Sequence, residues 1–299
     1  MKRTVQVHQV DAFTRTLFTG NPAGVVLGAD VLTDAEMLAI ARELNNADTA
    51  FVLAPEGSDH DLRVRFFTPR TEAAFVGHAT VAANYVLSDG GSRGPRRQKS
   101  RAGTVNIEIR GDDSARRIAI RQSVAPLGRE LNERERMAVL DALALASGDL
   151  DTRAPVQVAG SSSTRLMLAV RTPEQLRQLK PDFTRLTTLS AQLGASGYFV
   201  FTLHPHSADC LAEARMFCPA LGIPEDPVSG NAYGMLGVYL DHHRLLPRAG
   251  RRTPFTGAQG QHLNRPGRVD IELEHGADGL DAVWIIGQAV SVFRTELEL

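Results

Sequence analysis

The sequence has little of what several common classes of protein need. Among 299 residues there are only two cysteines, Cys210 and Cys218, too few for a disulfide framework or a tetrahedral thiolate metal site. We therefore expect a reducing, cytoplasmic location. The formal net charge is −1, so the chain lacks the basic surplus that attracts nucleic acids and anionic membranes. A small-molecule partner is expected, and no nucleic acid.

No apolar run is long enough to cross a bilayer. The longest, Val283 to Phe293, is interrupted by Gly287, Gln288 and Ser291, and it is shorter than the roughly 20 residues of a membrane-spanning helix. The first residues, up to Phe13, alternate polar and apolar side chains, which predicts a strand and not a signal peptide. We therefore expect no membrane partner and a mature chain that begins here.

Motifs for nucleotides and metals are also missing from the sequence. No Gly-rich loop ends in Gly-Lys-Ser/Thr, and no G-x-G-x-x-G follows a predicted strand. Histidines cluster at His242-His243 and at His204-Pro205-His206, but without carboxylate or thiolate companions at a familiar ligand spacing. We expect these histidines to lie at the surface, and we expect activity without a metal, a nucleotide or another cofactor.

Local patterns predict a mixture of strands and helices. The alternating start and the turn at Gly20-Asn21-Pro22-Ala23-Gly24 predict an opening hairpin. Thr33 and Glu36 form a capping-box pattern ahead of an amphipathic helix that ends near Asn45. Further strands are predicted at 25–27, 50–53, 62–67, 104–109 and 115–122, and further helices at 79–87, at 133–146 and from Pro173.

A basic stretch lies between the predicted helix at 79–87 and the strand at 104–109. Ser88 to Arg101 contains several glycines and five lysines or arginines, and we interpret it as a solvated loop. A basic loop can bind phosphates, but a net charge near zero argues against that role.

An internal repeat in the sequence indicates two related halves. Phe67-Thr68-Pro69 leads to Gly77-His78-Ala79, and Phe217-Cys218-Pro219 leads to Gly230-Asn231-Ala232. Because only two copies occur, the repeat favours a duplication over a solenoid.

The boundary between the halves is predicted near Pro126 to Asn132. This gives an N-terminal half of residues 1–126 and a C-terminal half of residues 127–299, with the option that the last strand returns to the N-terminal half. Since 43% of the residues are hydrophobic, the chain has enough apolar material for two cores.

Both glycine junctions place a small residue where the chain enters a helix. The first N–H groups of a helix lack intrahelical partners, and such termini attract anions. If a pseudo-twofold axis relates the halves, helices beginning at Gly77 and Gly230 would face one cleft and together hold a substrate carboxylate. The alternative is that both glycines only permit close helix packing.

Polar candidates surround the two helix starts. They are His78 at the first, and Glu225, Asp226, Ser229 and Asn231 at the second. Histidine is the natural acid or base near pH 7, although at a helix start it often serves only as a hydrogen-bonding residue. Loop carboxylates such as Asp226 and Asp48 are often only turn formers. The residues alone leave both interpretations open.

Six segments spread over the whole chain match a known pattern. They are Asp11-Ala12-Phe13, Gly20-Asn21-Pro22-Ala23, Ala41-Arg42-Glu43-Leu44-Asn45, Phe67-Thr68-Pro69, Gly77-His78-Ala79-Thr80 and Glu225-Asp226-Pro227-Val228-Ser229-Gly230-Asn231-Ala232. Together they resemble the PhzF-like family of phenazine-biosynthesis isomerases. The resemblance implies the diaminopimelate-epimerase-like α+β fold, in which two pseudo-symmetric halves each wrap a curved sheet round a central helix. It also implies an active site between the halves and a homodimer.

The resemblance further implies roles for individual residues. In the best-known family member, a glutamate after the first helix moves a proton between two carbons of a dihydro-hydroxyanthranilate ring. The matching residue here is Asp48, which keeps the carboxylate but shortens its reach by one methylene. By resemblance, Asp48, His78 and Asp226 are catalytic. The substrate-binding residues implied are Gly77, Ala79, Ser229, Gly230 and Asn231.

Related epimerases use two opposed thiols, one at each helix start. The matching positions here hold Val76 and Ser229, neither of which can act as a thiolate base. Racemisation by two thiols is therefore not expected. Cys218 lies well before Gly230, and we expect it to be a small buried apolar residue.

These points favour a cofactor-independent isomerase that shifts a proton on a small cyclic or unsaturated carboxylate. A carboxylate side chain would act as general acid and base. One alternative is an epimerase or dehydratase of an amino or hydroxy acid. Another is a non-catalytic binder of a small carboxylate, which the fold alone does not exclude.

Overall fold

A computed structural model describes residues 3–89, 91, 93–112, 115–161 and 163–299. The chain forms two compact units, one of Met1–Gln122 with Ile286–Leu299 and one of Ser123–Ile285. Each unit combines strands with a buried central helix, so the predicted α+β class is confirmed. Within the ranges described, no helix is both long and apolar enough to span a membrane.

The first unit contains most of the predicted elements. Up to residue 122 they are β1 (Thr4–Ala12), β2 (Asn21–Leu27), α1 (Asp34–Leu44), β3 (Asp48–Leu53), β4 (Leu62–Phe67), β5 (Glu72–Ala73), α2 (Gly77–Asp89), β6 (Arg96–Ser100), β7 (Gly103–Arg110) and β8 (Arg117–Gln122). β1 and β2 pair antiparallel, which confirms the opening hairpin. Thr33 and Glu36 form the predicted capping box of α1, and the helix ends where Asn45 adopts a left-handed conformation, φ 52°.

Helix α2 is the centre of the first unit. Its short side chains, mainly alanine and valine, are nearly all buried, and the helix contacts β1, β2, β3 and β8. A helix buried on all sides needs partners for its polar groups. The amide nitrogen of Asn84 has such partners, since Nδ2 donates to Gln98 Oε1 at 2.7 Å and to the Thr80 carbonyl at 3.0 Å.

The prediction of a solvated loop from Ser88 to Arg101 is wrong. Ser88 and Asp89 still belong to α2, and Arg96–Ser100 forms β6, which pairs antiparallel with β7 and parallel with β4. The strand alternates, but its buried positions hold Arg96 and Gln98, which are 8% and 0% exposed. A strand that is polar on both faces has no apolar alternation for a sequence pattern to detect. Residues 90 and 92 of this stretch lie outside the described part of the chain.

The remaining elements follow in chain order. They are β9 (Leu127–Glu130), α3 (Glu133–Ala142), β10 (Gln157–Ala159), β11 (Arg165–Ala169), α4 (Pro173–Gln178), α5 (Phe183–Leu193), β12 (Gly197–Thr202), β13 (Ala212–Cys218), β14 (Ile223–Asp226), α6 (Gly230–His242), β15 (Arg252–Gln259), β16 (Gly267–His275), β17 (Leu280–Gly287) and β18 (Ala289–Glu298). Helix α3 ends four residues before the predicted end at Ala146. Ala144 there has φ 57°, a left-handed conformation that ends a helix.

Each unit repeats one order of strand pairings. β2 and β3 are parallel and connected through α1, and β11 and β12 are parallel and connected through α4 and α5. Next, β4 pairs with β5 in the first unit, and β13 pairs with β14 in the second. Each of these antiparallel pairs leads into a central helix of 13 residues. Both central helices begin at the predicted glycines, Gly77 and Gly230. The internal repeat in the sequence therefore corresponds to a duplication of structure.

The last strand of the chain belongs to the first unit. β18 pairs antiparallel with β1 from Thr4 opposite Glu298 to Ala12 opposite Ala289, with an irregularity after Gln9. The first unit is thus completed by residues from both ends of the chain.

Candidate active site

Asp48 lies where the sequence predicts it, just after α1 and at the first position of β3. The left-handed Asn45 turns the chain out of the helix, and β3 then runs parallel to β2 with Asp48 opposite Ala23. Asp48 is only 8% exposed. A carboxylate that is so well buried is not an ordinary solvent-exposed turn residue.

His78 is the second residue of α2 and lies beside Asp48. The distance from His78 Nε2 to Asp48 Oδ2 is 3.8 Å, longer than a hydrogen bond. Burial lowers the pKa of His78 to about 4, so the imidazole is neutral at pH 7. Within the described residues, Nε2 is buried and has no hydrogen-bond partner. The pair thus offers a carboxylate and a neutral imidazole, side by side, to a third group.

The residue directly before α2 is Val76, whose side chain cannot cap the helix. The Val76 carbonyl accepts hydrogen bonds from the N–H and the hydroxyl of Thr80, at 3.0 and 2.8 Å, which marks the first turn. Val76 itself is apolar, and Gly77 and Ala79 are buried. The helix start next to Asp48 is therefore a small, apolar-walled terminus with the positive end of the helix dipole.

The second cluster of predicted site residues surrounds the start of α6. Asp226 ends β14, and a short loop leads from it to Ser229 and Gly230. Gln259, which is 1% exposed, holds this loop from the end of β15. Its Nε2 donates to the Asp226 carbonyl at 2.7 Å, and its Oε1 accepts from the Ser229 N–H at 3.1 Å.

Ser229 does not use its hydroxyl to cap α6. It occupies the position before the helix, but its side chain makes no capping hydrogen bond. Ser229 and Gly230 are buried, and Asn231 is half-buried. The hydroxyl is therefore not committed to the helix, and the predicted binding residues Ser229, Gly230 and Asn231 share one loop-to-helix junction.

Glu225, another polar candidate, has a structural partner. Arg215 Nε and Nη2 donate to its two carboxylate oxygens at 2.9 and 2.8 Å, and both side chains are buried. The first unit repeats this bidentate pair before α2, where Arg65 donates to Glu72 at 2.8 and 3.0 Å. A duplicated pair that fixes the strand ahead of each central helix explains Glu225 without a catalytic role.

Neither cysteine lies at the start of a central helix, and neither thiol is ionised as a base would need to be. Cys218 is buried as predicted, and burial raises the pKa of its thiol to about 12. Burial also raises the pKa of Cys210. Both thiols are therefore protonated near neutral pH, and the residues directly before α2 and α6 are Val76 and Ser229.

The predicted surface histidines are mostly at the surface. His204, His206 and His242 are exposed. His243 is half-buried, and its Nε2 shares a hydrogen bond of 2.7 Å with Gln157 Oε1. His243 is therefore only partly at the surface, because the end of α6 packs it towards β10.

Gln259 and Arg165 are two residues of this region that the sequence analysis did not identify. Gln259 ends an alternating strand and carries no motif. Arg165 precedes the apolar run Leu166–Val170 and begins β11. An arginine directly ahead of a buried strand is a signal that could have drawn attention to it.

Comparisons with known proteins agree on one family. A family model described as phenazine biosynthesis-like protein matches residues 10–295. The uncharacterized isomerase YddE of Salmonella typhimurium is 40% identical over 293 residues, which are 97% of each chain.

Solved structures give the same family and fold. A PhzF-family phenazine biosynthesis protein of Bacillus anthracis matches with a TM-score of 0.88 and 27% identity, over 99% of both chains. A hydroxyproline epimerase of Agrobacterium vitis matches with a TM-score of 0.64, over 99% of this chain and 93% of that one. At 13% identity, this second likeness concerns the fold alone.

Proposed function

This chain belongs to the phenazine biosynthesis-like (PhzC-PhzF) family and is an isomerase, and from this premise we propose which reaction type and which residues it uses. It shifts a proton on a small cyclic or unsaturated carboxylate, without a cofactor, and Asp48 is the general acid and base. The observation that carries the proposal is the buried Asp48 carboxylate 3.8 Å from the neutral His78 imidazole.

The proton balance of such a shift is simple. The Asp48 carboxylate takes a proton from one carbon of the substrate and becomes a carboxylic acid. It then returns the proton to another carbon of the same molecule, so no oxidant, reductant or co-substrate is consumed. A single group can serve both steps because the acid formed in the first is the donor of the second.

His78 supports this transfer as a neutral group. An imidazolium would form a fixed ion pair with Asp48 and lower the basicity of the carboxylate. A neutral imidazole, with a buried Nε2 that has no partner in the described part of the chain, can instead make a hydrogen bond to the substrate. His78 thus orients the substrate or shares in the proton transfer.

The substrate carboxylate is assigned to helix starts. At α2 the small residues Gly77 and Ala79 let an anion approach the backbone N–H groups, which the apolar Val76 does not cap. In the second unit Ser229, Gly230 and Asn231 offer the same kind of terminus. Asp226, held by Gln259 through its carbonyl, lies beside that terminus and shares in orienting the substrate.

Deuterium uptake tests the proposal. Small cyclic and unsaturated carboxylates are incubated with the protein in heavy water, and mass spectrometry follows the gain of deuterium. Wild type should label a substrate, whereas the nearly isosteric Asp48→Asn, which cannot accept a proton, should not. Glu43→Gln is the control because it removes an exposed carboxylate nearby on α1. Labelling by Asp48→Asn at the wild-type rate would transfer the role to His78 or Asp226.

A further inference from the structure

Arg165 is a buried cation in the second unit that the reaction described above does not use. It is the first residue of β11, opposite Gly197 in the parallel strand β12. The residue is 8% exposed. Arginine is rarely buried to this extent unless its charge is paired.

The hydrogen-bonding groups of Arg165 are poorly satisfied by the described residues. Nη1 donates to the carbonyl of the preceding Thr164 at 2.9 Å. Nε is completely buried and has no partner within those residues. Arg215, by contrast, is buried to a similar extent and makes a bidentate pair with Glu225. A buried guanidinium with no carboxylate partner among the described residues carries a large desolvation cost, which an anion would offset.

Arg165 lies near Cys218, and the charge of Asp226 reaches the same thiol. A Cβ on Gly197, the residue opposite Arg165, would lie 2.8 Å from Cys218 Sγ. Burial, above all, raises the pKa of Cys218, the charge of Arg165 lowers that pKa, and the charge of Asp226 raises it. The charges of Arg165 on β11 and of Asp226 on β14 therefore both affect the pKa of the Cys218 thiol.

The duplication places Arg165 at the same end of the repeated strand pair as Asp48, but on the other strand, where its counterpart is Ala23. In the first unit, Asp48 lies near the beginning of the parallel pair of β2 and β3, opposite Ala23. In the second unit, the corresponding pair of β11 and β12 begins with Arg165 opposite Gly197. The first unit thus carries a buried carboxylate at this end of its parallel strand pair. The second unit carries a buried cation at the same end of its own pair.

We propose that Arg165 is an anion-binding residue that, together with the start of α6, holds the carboxylate of a small ligand. Its Nε and an adjacent Nη form a fork that matches the two oxygens of a carboxylate, a geometry that lysine lacks. The inference rests on the proposed function in one respect, since it takes the ligand to be the carboxylated substrate.

Binding of benzoate and of its neutral isostere benzamide, measured by titration calorimetry, tests this role. We expect wild type to prefer benzoate, and Arg165→Gln to bind benzoate at least about tenfold more weakly, the effect of losing a charge-assisted hydrogen bond. Arg165→Lys should fall between them. Arg171→Gln, which removes an exposed arginine that follows the same strand, should bind like wild type. Equal binding by Arg165→Gln, equal affinity for benzamide, or no benzoate binding by wild type would each overturn the inference.

Thermal unfolding separates a ligand-binding role from a structural one. Without ligand, Arg165→Gln should melt no lower than wild type, because it removes an unpaired buried charge. Benzoate should raise the melting temperature of wild type and not that of the variant. A variant that is unfolded would show a structural partner and would refute the role. If Arg165→Gln still labels substrate in heavy water while Asp48→Asn does not, the proposed function stands and Arg165 has no part in it.

Discussion

The His78 imidazole is neutral because it is buried, and this has a consequence for stability. Burial lowers its pKa to about 4 in the folded protein, whereas a histidine in an unfolded chain titrates near 6.5. Between these two values the unfolded chain binds a proton that the folded chain does not bind. The free energy of unfolding therefore falls as the pH is lowered through this window.

His78→Gln should remove this pH dependence. For wild type we expect His78 to account for a loss of about 2 kcal/mol in the free energy of unfolding between about pH 7.5 and about pH 5. The variant should lack that part of the loss, and His262→Gln, at an exposed position, should retain it. Urea unfolding at both pH values is the measurement. Identical pH dependence in wild type and His78→Gln would contradict a neutral, buried imidazole.

At the scale of single residues, the sequence indicates some roles and hides others. Asp48 and His78 could be named because they stand in a recognisable pattern of neighbours, and their contact follows from the elements that carry them. Arg165 stands in no such pattern. Its interest lies in being buried without a carboxylate, and burial depends on strands that are distant in the sequence.

Among the elements, the loop at the start of α6 is held by a buried side chain from a distant strand. Gln259 joins the Asp226 carbonyl and the Ser229 N–H, and it does so from a strand that follows the helix in the chain. The Ser229 N–H belongs to a buried residue, which makes its hydrogen bond to Gln259 important for the loop. The position of the loop ahead of α6 is therefore set by Gln259 and not by a capping residue.

Gln259→Met should loosen this loop. The substitution keeps the length of the side chain but removes the hydrogen bonds to the Asp226 carbonyl and to the buried Ser229 N–H, and loss of the latter partner alone costs about 1–3 kcal/mol. Hydrogen exchange should become faster at residues 226–230, while α2 stays protected. Gln261→Met, at an exposed position two residues further on, is the control. Unchanged exchange in this loop would mean that other contacts hold it.

The elements show why local patterns succeed in some places and fail in others. The starts of α1 and α4 are predicted because Thr33 with Glu36, and Thr172 with Pro173 and Gln175, are capping signals contained in the segment itself. The end of α3 is missed because an alanine, Ala144, takes the left-handed conformation that glycine usually marks. β6 is missed because its buried face is polar and is satisfied by α2.

On the scale of the whole molecule, the first unit depends on the last strand. β18 pairs with β1 along the whole length of β1, so its loss would leave β1 with an unpaired edge. A chain that ends after Gly287 should therefore lose hydrogen-exchange protection in β1 and β2, whereas residues 123–285 should keep theirs. A chain that ends after Leu297 is the control. Full protection of β1 in the shorter chain would show that the first unit is stable without β18.

The return of β18 also sets an order of events on the ribosome. Domains usually fold one after another as they emerge, starting from the N-terminus. Here residues 1–122 emerge before residues 123–285, yet the unit to which they belong includes residues 286–299, which are synthesised after the second unit. The second unit is continuous in the chain and has all its residues earlier. The unit whose synthesis begins first is therefore the unit that is completed second.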